Sequence, residues 1–120
     1  MPEPTQVFSY SRCSTCRKAI QWLNDHDIDH DLIDITETPP TREQLAAALH
    51  QFGDRKPLFN TSGLSYRSLG SSVVKAMTDD QALDALAADG KLIKRPFVIL
   101  PSGEALVGFN PDVWVAQWGG

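Results

Sequence analysis

The two cysteines of this chain, Cys13 and Cys16, stand where a β-prone run gives way to an apolar pattern of helical period. Residues 7–10 favour a short strand, and the apolar pattern that runs from Cys16 to Leu23 places its members on one face of a helix. Cys13 falls at or just before the first turn of that helix. Unpaired N–H groups and the positive end of the helix dipole stabilise an anion there. The junction therefore predicts a reactive thiol at Cys13.

Two arginines and the second cysteine define the chemistry expected of that thiol. Arg12 and Arg17 add positive charge, which favours a thiolate at neutral pH and makes Cys13 the expected nucleophile. Cys16 lies one helical turn further on, close enough to form a disulfide with Cys13 after modest adjustment. The pattern predicts a nucleophile with a resolving partner.

The rest of the chain predicts a thioredoxin-like α/β fold. A helix over Ser14–Asp25 should separate two parallel strands, and capping boxes beginning at Thr41 and Thr78 should open two further helices. Strands are expected at residues 6–10, 30–35, 97–100 and 105–107, and a last helix at residues 111–118. This order gives a mixed four-stranded sheet with helices on both faces, and a helical insert between strands two and three, in one domain over residues 1–120.

Within the insert, residues 54–70 predict short helical pieces around a polar loop. Val73, Val74 and Met77 are expected to cover the core, and Gly90 to end the helix that Thr78 opens.

Charge and hydropathy exclude several classes of function. A net charge of −4 over 120 residues argues against a broad surface for nucleic acid or for anionic membranes. No apolar run approaches the roughly 20 residues of a membrane span, and the N-terminus does not resemble a signal peptide. Two cysteines without a secretion signal favour reducing cytosol. We expect a cytoplasmic protein with no direct contact to nucleic acid or membrane.

A zinc site is the alternative interpretation of the cysteine pair, because His26 and His30 extend it to Cys-x2-Cys-x9-His-x3-His. The nine-residue gap is shorter than zinc fingers use, and a continuous helix should occupy it. We therefore expect no metal ligands in this chain.

Two further features are candidates for the site around Cys13. In the predicted fold Pro96 precedes the third strand and faces the cysteines, which would direct the guanidinium of Arg95 toward Cys13. The alternative is that Arg95 is an ordinary surface arginine. Lys91 and Lys94 are expected to be solvated. The other feature is a polar cluster that would line a cleft or form a solvated turn, and its members are Asn60, Thr61, Ser62, Tyr66 and Arg67.

Taken together, three segments resemble the signature segments of the arsenate-reductase-like (ArsC) family. The segments are residues 13–19, 92–96 and 107–110. That family includes glutaredoxin-linked arsenate reductases, the Spx and MgsR regulators and the YffB-type proteins. The resemblance implies that Cys13 is the nucleophile and Arg95 the arginine beside it. It also agrees with the helical insert.

The sequence departs from the arsenate reductases that it resembles. Those enzymes present three arginines to the oxyanion, whereas Asn60 and Gly108 stand where two of them would be, and Ser9 replaces a histidine. The pair formed with Cys16 is similar to that of the Spx regulators. The segment from Gly108 to Asp112 is more similar to the YffB branch.

Two functions follow as expectations. The first is a thiol oxidoreductase with no bound cofactor, which uses glutathione, glutaredoxin or thioredoxin as electron donor. Cys13, Cys16 and Arg95 would be catalytic, and the substrate would contact Arg12, Ser14, Thr15, Asn60 and Pro96. The second is an Spx-like redox-sensing regulator that binds the α subunit of RNA polymerase through a Cys13–Cys16 disulfide switch.

Overall fold

The sheet of this protein is mixed and four-stranded, as the sequence predicts. The computed structural model describes residues 4–119; residues 1–3 and 120, which the single-domain expectation includes, lie outside it. The strands are β1 (Thr5–Ser9), β2 (His30–Asp34), β3 (Phe97–Ile99) and β4 (Ala105–Val107). Their spatial order is β2-β1-β3-β4, with β1 parallel to β2 and the other two pairs antiparallel. The predicted first strand is therefore shifted by one residue, and Ile35 and Leu100 lie just beyond their strands.

Helices fill the connections between the strands. They are α1 (Ser14–Asp25), α2 (Arg42–Phe52), α3 (Leu64–Leu69), α4 (Ser71–Ala76), α5 (Asp79–Ala88) and α6 (Pro111–Trp118), with 3-10 turns at Lys56–Leu58 and Gly90–Leu92. The helices α2 to α5 form the predicted insert between β2 and β3. Both capping boxes are present, because Thr41 and Thr78 each accept the N–H of a glutamine three residues on. Local capping chemistry thus defines where α2 and α5 begin.

The core lies on both faces of the sheet because successive residues of β1 point to opposite sides. Phe8 packs into a cluster with residues of α2 and α5, including Leu45 and Leu86. Val7 packs on the other side with α1 and α6, where Trp114 is buried. These two clusters confirm the thioredoxin-like arrangement with helices on both faces, and they hold the β1–α1 junction from both sides.

Two expectations for the insert are wrong. The helix α5 ends at Ala88 with Asp89 as its cap, whereas Gly90 begins the following turn. Gly90 is needed for close packing instead, since a Cβ atom there would lie 1.8 Å from the carbonyl oxygen of Ile35. Val73 was expected in the core but is 50% exposed. Its neighbour Val74 is the residue of α4 that is buried.

Within residues 4–119, no helix combines the length and the apolar character that crossing a membrane requires.

Candidate active site

Cys13 caps α1 with its own sulfur. Its backbone is extended (φ −95°, ψ 113°), and its Sγ accepts the N–H of Cys16 at 3.2 Å. The N–H of Cys13 in turn donates to the carbonyl of Tyr10 at 3.0 Å, which fixes the turn between β1 and α1. The thiol is partly exposed. A sulfur in this position accepts one of the otherwise unpaired N–H groups of the helix and lies at the positive end of its dipole.

Cys16 lies beneath Cys13 and is fully buried in its reduced form. Burial raises the pKa of the Cys16 thiol to about 12, and a hydrogen bond with the Cys13 side chain adds to this shift. The backbone of Tyr10 and the positive charge of Arg95 act in the opposite direction. At neutral pH Cys16 is therefore a protonated thiol, which leaves Cys13 as the accessible nucleophile of the pair.

Arg95 reaches the same site from the loop before β3. The Arg95–Pro96 peptide bond is cis, and Pro96 is buried. The guanidinium carbon of Arg95 lies 5.2 Å from the ring centre of Tyr10, within the range of a cation–π contact. The Nε atom of Arg95 is buried, and no described residue accepts its hydrogen bond. The ring of Tyr10 and the start of β3 thus hold this cation at the cleft.

The open side of Cys13 faces a cleft of about 470 Å³, here called the Cys13 cleft. Its lining residues come from α1, the insert, the loop before β3 and the segment after β4. They are Cys13, Thr15, Asn60, Ser62, Gly63, Lys94, Arg95, Val107, Gly108, Phe109 and Asn110. A second cleft of about 650 Å³ adjoins it and shares Asn60, Gly63 and Arg95. Together the two clefts offer room for a substrate that extends well beyond its reacting atom.

The structure brings together four of the predicted site residues, namely Cys13, Thr15, Asn60 and Arg95. Cys16 and Pro96 are buried below the surface of the cleft. The remaining two, Arg12 and Ser14, are exposed and do not line it. Arg12 occupies the turn before α1 and Ser14 the first position of the helix, so their substrate contacts stay predictions.

The polar cluster of the insert divides between two places. Asn60 and Ser62 belong to the Cys13 cleft, and the guanidinium of Arg67 donates to the carbonyl of Ser62 at 3.2 Å. Thr61 and Tyr66 line a separate cavity of about 380 Å³ on the other side of the loop. The polar cluster thus contributes residues to both the Cys13 cleft and the separate cavity, and the sequence alone does not predict this division.

Lys94 and Tyr10 are among the residues of the site that were not predicted from the sequence. Lys94 is exposed, as expected of a solvated lysine, yet it lines the Cys13 cleft. Tyr10 holds Arg95 and lines the adjoining cleft. The sequence provided only a weak indication that they belong to the site, namely that each is close in sequence to a predicted site residue. Lys94 precedes Arg95, and Tyr10 ends the β-prone run before Cys13.

The helix α1 separates the residues of the alternative zinc site. His26 caps its C-terminal end, and 12 residues of helix span about 18 Å from the cysteine end. The ring nitrogens of His26 and His30 are hydrogen-bonded to the carbonyls of Trp22 and Ile28, respectively. Among the described residues, no three His, Cys, Asp or Glu side chains converge on a metal site.

The sequence of this chain is similar to those of known proteins over most of its length. The sequence model of the ArsC family matches residues 8–116. The uncharacterized protein YusI from Bacillus subtilis is 43% identical over 112 residues, which cover 91% of this chain and 93% of that protein. An arsenate reductase from Escherichia coli is 30% identical over 101 residues, or 83% of this chain and 71% of that one.

A regulator and a solved structure are also similar to this chain. The regulatory protein MgsR from Bacillus subtilis is 27% identical over 112 residues, covering 92% of this chain and 87% of its own length. The crystal structure of an ArsC-family-related protein from Bacteroides fragilis has a TM-score of 0.87 at 37% identity, and the match covers 97% of this chain and 98% of that one.

Proposed function

The chain belongs to the ArsC family, and from this premise we propose that it is a thiol oxidoreductase in which Cys13 is the nucleophile and Cys16 the resolving thiol. The observation that carries the proposal is the position of Cys13. Its sulfur accepts an N–H at the start of α1 and opens into a cleft that Arg95 also lines. Arg95 is the one arginine among the described residues that line this cleft. A single guanidinium favours a sulfur substrate over an oxyanion that needs several such donors.

The first step is attack by the Cys13 thiolate on one sulfur of a disulfide. A bond forms between that sulfur and Cys13, and the other sulfur leaves as a thiolate that takes up a proton. The helix terminus and Arg95 favour the attacking thiolate.

The second step is attack by Cys16 on the sulfur of Cys13. In the mixed disulfide Cys13 carries no negative charge, so two causes that raise the pKa of Cys16, its hydrogen bond to Cys13 and the charge there, are removed. Cys16 then loses its proton more easily. It forms the Cys13–Cys16 disulfide and releases the second half of the substrate as a thiol. The substrate gains two electrons, and the protein loses two.

An external donor returns the protein to its reduced form. Two molecules of glutathione, or the dithiol of a glutaredoxin or thioredoxin, would exchange with the Cys13–Cys16 disulfide and restore both thiols. The test is a reduction assay with a small disulfide as substrate and each donor in turn, followed by thiol release. Turnover with at least one donor supports the proposal, and no turnover above the uncatalysed exchange with any of them contradicts it.

Arg95→Ala is expected to slow the reaction of Cys13 with iodoacetamide at neutral pH by about three- to tenfold, because the guanidinium favours the thiolate across the cleft. Iodoacetamide is neutral, so its rate reports the thiol itself. Lys94→Ala should have a much smaller effect, since an exposed ammonium is screened by water and salt. Lys75→Ala removes a charge from the separate cavity and serves as control. Equal rates for Arg95→Ala and the parent protein would show that Arg95 does not act on Cys13.

A second candidate function is that of a redox-sensing regulator, and the similarity to MgsR favours it. Formation of the Cys13–Cys16 disulfide would then change the affinity of this chain for the α subunit of RNA polymerase. A pull-down from a bacterial extract with oxidised and reduced protein separates the two proposals. Polymerase subunits retained on the oxidised protein alone would favour the regulator, and equal retention on both forms or on neither would count against it.

A further inference from the structure

The end of the Lys94 side chain lies over Gly108 at the Cys13 cleft. Gly108 is buried and has a φ of +72°, and a Cβ atom on it would lie 3.2 Å from the Cε atom of Lys94. The N–H of Lys94 donates to the carbonyl of Leu58 at 2.8 Å, and that of Gly108 donates to the carbonyl of Pro96 at 2.9 Å. Because Gly108 has no side chain, there is room beside its backbone for the Cε atom of Lys94. The backbone of Lys94 is fixed by its hydrogen bond, and its exposed side chain lines the cleft.

The charge of the Cys13 cleft is one-sided. Lys94 and Arg95 contribute two cations, and none of the described residues that line this cleft is a carboxylate. The ion pairs found between residues 4 and 119 involve Arg42 and Arg55, not Lys94. Among the described residues of the adjoining cleft, Asp89 is the acidic one, and its carboxylate accepts the N–H of Lys91. No carboxylate among the described lining residues therefore neutralises these two cations beside the sulfur of Cys13.

We propose that Lys94 and Arg95 form a subsite for a negatively charged group on the substrate, and that Lys94 selects disulfides and thiols that carry a carboxylate near the sulfur. This inference rests on the proposed function, because it assumes that Cys13 is the reacting atom. Two cations in one cleft, with no carboxylate among its described lining residues, attract an anion more strongly than one isolated surface cation does. Lys94 is then a specificity-determining residue, whereas Arg95 also acts on the thiolate itself.

The test compares two alkylating reagents that differ in charge. Iodoacetate is an anion and iodoacetamide is neutral, so the ratio of their rate constants at Cys13 cancels the reactivity of the thiol and leaves the preference for charge. In Lys94→Met, which keeps the stem but removes the ammonium, this ratio should fall by about threefold at low ionic strength. Lys94→Arg should restore it. Lys75→Met, a matched change at the separate cavity, should leave it unchanged.

Peptide mapping by mass spectrometry assigns each alkylation to Cys13. In the parent protein, the ratio of the iodoacetate rate constant to the iodoacetamide rate constant should also fall toward the value of Lys94→Met as the salt concentration rises. Salt screens the attraction between the Lys94 ammonium and the carboxylate of iodoacetate. An unchanged ratio in Lys94→Met, with Cys13 still alkylated by iodoacetamide, would overturn the subsite and leave the thiol function standing. Absence of any alkylation at Cys13 would overturn both.

Discussion

Replacing Cys13 with serine should lower the rate of disulfide reduction by at least about a thousandfold, because a hydroxyl in this position has no accessible anion at neutral pH. The rate is measured as thiol release from a small disulfide. The loss should come from chemistry and not from unfolding, since serine is close to cysteine in size and Cys13 is only partly buried. Unchanged thermal unfolding of the variant would establish this point.

Cys16→Ser is the matched control for that experiment. It should retain the first attack, because Cys13 and the backbone N–H that donates to its sulfur are both preserved. Turnover through the intramolecular disulfide should be lost, while turnover with glutathione as the external resolving thiol can persist. If Cys13→Ser kept the activity of the parent protein and Cys16→Ser did not, the assignment of the two cysteines would have to be reversed.

Gly90→Ala should destabilise the protein by about 3 kcal/mol, because the added methyl group has no room at this position. The new Cβ atom would lie 1.8 Å from the carbonyl oxygen of Ile35, so the backbone after β2 or after α5 has to move. The change is measured as the shift in the midpoint of urea unfolding at constant slope.

Gly53→Ala distinguishes this steric effect from the general cost of replacing a glycine. Gly53 ends α2 with a φ of +71° and has open space around the missing Cβ atom. Its replacement should cost about 1 kcal/mol, which is the strain of a left-handed backbone alone. Equal losses for the two variants would contradict the close approach of the two loops at Gly90.

Local signals predicted most of the fold. The extent of α1, the two capping boxes and the last helix each depend on residues within one or two turns of one another, so they can be read from a single segment. The insert was less predictable. Val73 and Val74 are equally apolar, and only the packing of α4 against distant elements decides which of them is buried. Gly90 marks a helix end in sequence, yet its role depends on Ile35, far away in the chain.

The sequence likewise predicted the local part of the candidate site and missed the contacts between distant segments. Cys13 and Cys16 could be assigned because strand, turn and helix follow one another directly. The contact of Arg95 with Tyr10, and the placement of Lys94 on Gly108, join segments that are distant in sequence. Such contacts arise only when β3 pairs with β1 and β4. These contacts cannot be predicted from composition or from hydrophobic periodicity.

The central claim is that Cys13 attacks first and Cys16 resolves the adduct, and mass spectrometry after treatment with oxidised glutathione tests it most directly. The parent protein should lose two hydrogen atoms and retain no adduct, and peptide mapping should find Cys13 joined to Cys16. Cys16→Ser should hold one glutathione on the Cys13 peptide, and Cys13→Ser should hold none, because burial keeps the remaining thiol protonated and inaccessible. A lasting glutathione adduct on the parent protein, or an adduct on Cys16 in Cys13→Ser, would contradict this account.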